Sequence, residues 1–260
     1  MKVFVLNLAR CPERMARVKA RLDELGVPFE RIEGVDDSLM DETEKRRSVS
    51  RLGWWCCSLR PITRGQIGCT LSHQLAYRRM ISEGLEHACV LEDDVVLDSH
   101  FPEVLKSLES AIDDTRAQVA LMCDHADGKM EIPAVQGDFS LERVKEAMYA
   151  EGYVLTRKAA EQILEANYPL RVMDDIWGRW VRQGRIELYL ARPTVCTQTS
   201  PVDGGSTIVS ASIIRSRLSF GGKLWWDVRR LVGIVLDAFT GWPEMKGSLV
   251  LLGRFLRGGR

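Results

Sequence analysis

The sequence predicts an α/β domain built on a mostly parallel central sheet over residues 1–210, followed by a basic helical tail over residues 211–260. Three observations predict it. Strand-like apolar runs alternate with helical stretches, glycine and proline stops separate them, and three consecutive carboxylates stand directly behind one of the central apolar runs. Alternation of this kind covers both faces of a sheet with helices, and ligands bind beyond the carboxyl ends of its strands.

Residues 3–8 read as a buried strand, 12–25 as a helix with Met15, Val18, Leu22 and Leu25 on its apolar face, and 29–34 as a second strand. Gly26-Val27-Pro28 supplies the helix stop that this βαβ opening needs. Residues 36–61 leave the pattern. A charged run from Asp41 to Arg47, read as a solvated helix or loop, precedes Trp54-Trp55-Cys56-Cys57 in an excursion from the core. Thr63 and Gly65 introduce a helix over 66–83 that carries Ser72 and His73 and stops at Gly84. Residues 87–91 form the next strand, ended by Glu92-Asp93-Asp94. Further strands are expected over 119–123, 153–156 and 186–190, and further helices over 158–166 and 176–183.

With 260 residues the chain can bury a substantial core without a disulfide or cofactor to stabilise it. Its 36 basic and 36 acidic residues balance, which gives no electrostatic case for a nucleic-acid partner. The charge is unevenly spread: residues 211–260 hold nine basic and three acidic side chains, +6, and leave residues 1–210 at −6. Seven cysteines, an odd number with Cys56 and Cys57 adjacent, fit a reducing compartment, and neither CxxC nor a Cys/His spacing suited to structural zinc appears, so no thiolate metal site is expected. Arg10 interrupts the N-terminal apolar run before a signal-peptide core develops, so a cytoplasmic location is expected.

The acidic triplet carries the chemistry. Neighbouring anions repel unless a cation or strong donors lie among them. Hard oxygen ligands suit Mn²⁺ or Mg²⁺, which can bridge the phosphates of a sugar nucleotide. On an extended backbone Glu92 and Asp94 face one side, as metal ligands, and Asp93 faces the other, toward the donor. The alternative is a solvated turn or a helix cap. Asn7 and Arg10, behind the first strand, are placed to reach a nucleotide, and His73 to reach a phosphate; capping, solvation and a buried structural histidine are the competing readings. Arg14 is read as a solvated charge.

Asn7 and Arg10, Gly65-Gln66-Ile67-Gly68-Cys69 with Leu71-Ser72-His73, Val90-Leu91-Glu92-Asp93-Asp94-Val95, and Tyr153-Val154-Leu155-Thr156 with Ala159-Ala160 occur in an order that resembles glycosyltransferase family 25. This is the lipooligosaccharide galactosyltransferase family, to which collagen galactosyltransferases are related. The resemblance covers about residues 1–210 and implies a GT-A-like nucleotide-sugar-binding fold, inverting transfer, and UDP-galactose with Mn²⁺. It places the metal-binding acidic motif on Glu92, Asp93 and Asp94, with Asp94 as the direct ligand, and a donor-binding helix on Gly65, Gln66, Ser72 and His73. Gln66 stands where the family commonly has an acid, and Cys123-Asp124-His125 is more polar than the expected turn; both departures bear on donor identity.

Inverting transfer needs a base to take the acceptor hydroxyl's proton, and Met173-Asp174-Asp175-Ile176-Trp177 sets two acids beside an aromatic suited to a sugar face. Asp174 is the first expectation and Asp175 the second, with N-capping of the following helix as the rival role. The loop 198–208 can fold over a donor or serve as a connector. In the tail, Trp225-Trp226 and flanking Lys223, Arg229 and Arg230 suit an anionic membrane surface or a docked helix, so residues 215–257 are expected to hold the enzyme peripherally on the inner face of the cytoplasmic membrane, near a glycolipid acceptor. The rival function classes are a metal-dependent phosphoesterase and a non-catalytic glycan-binding module.

Overall fold

The computed structural model describes residues 1–50, 64–123, 139–147, 150–171, 173 and 175–198. The expected tail, Trp54-Trp55, Cys56-Cys57, Asp124-His125, Asp174 and the loop beyond Gln198 lie outside the described residues. None of the described helices is long and apolar enough to cross a membrane.

The opening βαβ unit comprises β1 (Lys2–Asn7), α1 (Pro12–Glu24) and β2 (Glu30–Glu33), with β1 and β2 paired in parallel. Pro12 begins α1 where its missing N–H is no loss, and Gly26, at φ 66°, ends it in the left-handed region. The charged run becomes α2 (Glu42–Ser48), capped by Asp41, whose carboxylate accepts from the Glu44 amide at 2.7 Å. Then follow α3 (Arg64–Ser82), β3 (His87–Glu92), β4 (Val95–Leu97), α4 (Phe101–Ala111) and β5 (Gln118–Leu121). The remaining elements are β6 (Ser140–Val144), β7 (Gly152–Thr156), α5 (Arg157–Asn167), α6 (Trp177–Arg182), β8 (Glu187–Arg192) and β9 (Cys196–Gln198).

Seven strands form one sheet in the order β2-β1-β3-β7-β5-β8-β6. Strands β1, β2, β3, β5 and β8 run one way, and β6 and β7 run against them. The central sheet is therefore mixed α/β and mostly parallel. Strand alternation splits the core in two. Phe4, Leu6, Val90 and Leu155 pack with Tyr77 and Met80 of α3, Ile163 of α5 and Trp177 of α6 on one face; Val3, Val5, Leu91 and Val154 pack with Val18 and Leu22 of α1 and Phe101 and Leu108 of α4 on the other. A fully buried side chain of this size contributes about 1.5–3 kcal/mol each, so both layers are needed. A separate two-stranded ribbon, β4 with β9, leaves the end of β3.

The insertion of β7 between β3 and β5 was not expected from the sequence pattern. Being antiparallel, it brings its amino end to the edge where β1 and β3 finish, so the Glu92 amide donates to the Glu151 carbonyl at 2.9 Å. That edge carries the candidate site.

Helix α3 approaches the loop after β2 closely. A Cβ added at Gly68 would lie 2.5 Å from the Val35 carbonyl oxygen, a backbone atom that cannot swing aside. Gly68→Ala is expected to destabilise the protein by about 1–3 kcal/mol through forced separation of the helix and loop. Urea unfolding followed by circular dichroism checks it, with no loss of midpoint as the contrary result.

Candidate active site

The site is built where β1 and β3 end. Asn7, the last residue of β1, is buried, and its amide nitrogen donates to Asp93 Oδ2 at 2.7 Å and to the Cys11 carbonyl at 2.9 Å. Its side-chain oxygen accepts from Arg31 Nε at 2.9 Å. Asn7 thus anchors the acidic turn, and its polar atoms are committed to the protein.

Asp93 and Asp94 do not continue the strand; they form a turn into β4. The expected alternation ends with Glu92 for that reason. Arg14, one turn before Val18 on the buried stripe of α1, sets Nη1 at 3.2 Å from Asp93 Oδ1 and 3.8 Å from Asp94 Oδ2. Asp94 Oδ2 also accepts from Gln198 Nε2 of β9 at 3.1 Å. Asp93 and Asp94 therefore share a cation, while Glu92 turns to the α3 face, which corrects the expectation of Glu92 and Asp94 on one side with Asp93 on the other. Arg14 is likewise no solvated charge. Burial by itself lowers its pKa, but Asp93 and Asp94 outweigh that and leave it raised. The signal for this lay in the helical register of Arg14 with Val18 and Leu22.

Asp94 is strongly perturbed. Burial, then repulsion from Glu92 and Asp93, pushes its carboxyl up to about 7, against the opposing pull of Arg14 and Gln198. A buried carboxyl held at the edge of ionisation by neighbouring anions fits a site for a divalent cation, and its oxygen donors match Mn²⁺ or Mg²⁺.

On the other side, the buried stripe of α3 consists of Gln66, Thr70, His73, Tyr77 and Met80, polar toward the site and apolar toward the core. His73 is fully buried, and side chains meet both ring nitrogens: Nε2 lies 3.1 Å from Glu92 Oε1 and Nδ1 lies 2.7 Å from the Tyr153 hydroxyl. The Tyr153 hydroxyl in turn meets that of Tyr77 at 2.8 Å. Ser72 Oγ donates to the Gly68 carbonyl at 2.7 Å and accepts from the Val35 amide at 2.8 Å, which fixes α3 against the β2 loop. Gly65 is half-buried and Gln66 buried in the first turn of α3.

Arg10 stands at the rim of a cavity of about 320 Å³ beyond β1 and β2, lined also by Ala9, Glu33, Gly34, Asp36 and Met40. It pairs with Asp36 at 3.2 Å. Asp175 is half-buried just before α6, whose N-cap position falls on Ile176. Trp177 follows two residues later and packs edge-on against Tyr153, with ring centroids 5.0 Å apart. Glu151, which no sequence motif marks, is buried beside Glu92 with Oε2 3.3 Å from the Cys123 thiol. Its burial and the Glu151 carboxyl together push the Cys123 thiol up.

Residues 1–177, about two thirds of the chain and all the strands and helices that frame this site except α6, β8 and β9, match the model of glycosyltransferase family 25 (LPS biosynthesis protein). The chain belongs to glycosyltransferase family 25. It is 28% identical over 172 residues to procollagen galactosyltransferase 2 of Homo sapiens, covering 64% of this chain and 28% of that protein. It is 25% identical over 181 residues to procollagen galactosyltransferase 1 of Danio rerio, covering 66% and 29%. It is 30% identical over 179 residues to inactive glycosyltransferase 25 family member 3 of Homo sapiens, covering 66% and 30%. The chain thus spans under a third of the length of these curated relatives. Since the family includes a member named inactive, the acidic turn must carry the argument for activity.

Proposed function

We propose that this glycosyltransferase family 25 chain transfers a hexose, galactose first, from a UDP-sugar to a saccharide acceptor of a lipooligosaccharide or related bacterial glycan, with inversion at the anomeric carbon. The observation that carries the reading is Asp94: a buried carboxyl raised to about 7 among Glu92 and Asp93, beyond the ends of parallel strands. The names of the procollagen galactosyltransferases support galactose as the first donor to test.

Asp94 is the proposed ligand for Mn²⁺ or Mg²⁺. Glu92, the other carboxylate expected there, reaches the same ion only by leaving His73. The bound ion supplies charge neutralisation to the departing diphosphate. Asn7 and Arg14 hold the turn so that Asp93 and Asp94 stay in place, and the cavity at Arg10 is the proposed seat of the nucleoside. Asp175, or Asp174, is the proposed base that takes the acceptor hydroxyl's proton. Gly65, Gln66, Ser72 and His73 shape the donor side through α3. Contact of residues 215–257 with an anionic membrane remains part of this proposal, motivated by their charge and tryptophans.

A thermal-shift screen of UDP-hexoses with and without Mn²⁺ tests the reading. Stabilisation by one UDP-sugar that requires Mn²⁺ is the expected result. Sugar binding without any nucleotide effect points to a glycan-binding module, and phosphate release without an acceptor points to a phosphoesterase; either overturns it.

A further inference from the structure

We propose that Cys69, His73 and Glu92 form a second metal site, chemically distinct from the carboxylate turn, that takes a thiolate- and imidazole-preferring cation such as Zn²⁺. Cys69 and His73 are four residues apart on α3, so their side chains project from one helical face. Glu92, at the end of β3, meets that face. Its Oε1 is 3.1 Å from His73 Nε2 and 3.9 Å from Cys69 Sγ, and one ligand atom from each of the three lies within 4.8 Å of the others. A tetrahedral zinc with these donors sets them about 3.3–3.7 Å apart, so a side-chain movement of about 1 Å completes the geometry.

The surroundings support ligation. The histidine nitrogen that does not face Glu92 is 2.7 Å from the Tyr153 hydroxyl, which meets the Tyr77 hydroxyl at 2.8 Å. Ligation would use the tautomer in which Nδ1 donates its proton to the Tyr153 hydroxyl and Nε2 turns its lone pair to the ion in place of the contact with Glu92 Oε1. A metal-bound histidine almost always donates its other ring N–H in this way, and the second partner fixes the ring. His73 is fully buried while Cys69 and Glu92 are half-buried, so the site opens to one side and can exchange its ion. One sulfur, one nitrogen and one carboxylate oxygen are a zinc donor set, and three protein ligands leave a fourth position for water. Binding converts the Cys69 thiol to thiolate and releases one proton to solvent.

The site stands on its own geometry and does not require the transfer reaction. It does bear on it, because an ion here holds Glu92 on the α3 face, away from Asp94.

The test uses the chelator-treated full chain, and in parallel the chain carrying Cys56→Ser and Cys57→Ser, titrated with Co²⁺ as a spectroscopic substitute for Zn²⁺. The expected result is that one equivalent of Co²⁺ saturates a thiolate-to-cobalt charge-transfer band and a visible band of tetrahedral intensity, both bleached by Zn²⁺. Cys69→Ser is expected to abolish the charge-transfer band and weaken Zn²⁺ binding by roughly 100-fold. Asp94→Asn is expected to leave the cobalt spectrum unchanged, which separates this site from the proposed donor site. Circular dichroism of each variant confirms that it is folded, and Glu92→Gln provides a second ligand change. A charge-transfer band that is absent from the parent, or that persists in Cys69→Ser, overturns the proposal.

Discussion

Asp94→Asn is expected to lower sugar transfer by about 10³-fold or more, a loss of about 4 kcal/mol of transition-state stabilisation, and at the same time to make the metal-free protein more stable above pH 7. The two effects have one cause. Asp94 is raised to about 7 in the folded protein by burial and by the neighbouring anions, whereas in the unfolded chain it ionises at an ordinary carboxylate value. A folded pKa above the unfolded one means that stability falls as pH rises through that interval, and the full penalty, on the order of a few kcal/mol, stands above the folded value. The amide keeps an oxygen for Gln198 Nε2 and removes the ionisation. Thermal unfolding in chelator at pH 5 and pH 8 should therefore show a gain for the variant at pH 8 that shrinks at pH 5. An equal melting temperature at both values, or wild-type transfer, contradicts the role assigned to Asp94.

Arg14→Met should produce the largest loss of stability of any single change at the site, about 3 kcal/mol or more. Arg14 is the cation that Asp93 and Asp94 share, and the side chains of all three are nearly inaccessible. Methionine preserves much of the volume against α1 but leaves two buried carboxylates with less compensation. The sign with pH follows. Removal of this positive neighbour raises the Asp94 carboxyl further in the folded state, so the destabilisation is greatest at high pH and recedes as protonation of Asp94 relieves the repulsion. Urea unfolding at pH 8 and pH 5 measures it. A loss that is the same at both values would mean that Arg14 acts through packing alone.

These two residues show how differently the site was written into the chain. Asp94 was legible because three acids directly behind an apolar run have few tolerable settings, and the position after a strand of an α/β sheet names one of them. Arg14 was read as a surface charge even though it shares a helical face with Val18 and Leu22, because a local pattern does not identify the distant anion that makes burial tolerable. His73 was singled out from its motif, but its partners Tyr153 and Glu92 belong to two neighbouring antiparallel strands and could not be paired in advance. The meeting of Cys69, His73 and Glu92 was hidden for the same reason: Cys69 and His73 stand at helical spacing on α3, and Glu92 comes from β3.

The short elements were also hidden. Strands β4 and β9 have three residues each, too few to show a period, and they acquire their identity only by pairing with one another. Their pairing matters because it brings Gln198 to Asp94 across 104 residues of chain.

The sequence by itself determined the α/β class, the βαβ opening, the helix that carries Cys69 and His73, the acidic end of β3 and the family. Each of these depends on neighbouring residues: side-chain period, stops such as Gly26 and Gly84, and a charge cluster that cannot be diluted. Only the tertiary structure decided that β7 enters the sheet reversed beside β3, that Arg14 rather than Arg10 faces the acids, and that Glu92 parts from Asp94 to meet His73. Arg14 and Asp93 are 79 residues apart, as is close to the separation of 80 between His73 and Tyr153. Which of these distant groups meet depends on strand order and direction, and those are fixed by burying both faces of the whole sheet at once, a condition that no local stretch of sequence contains.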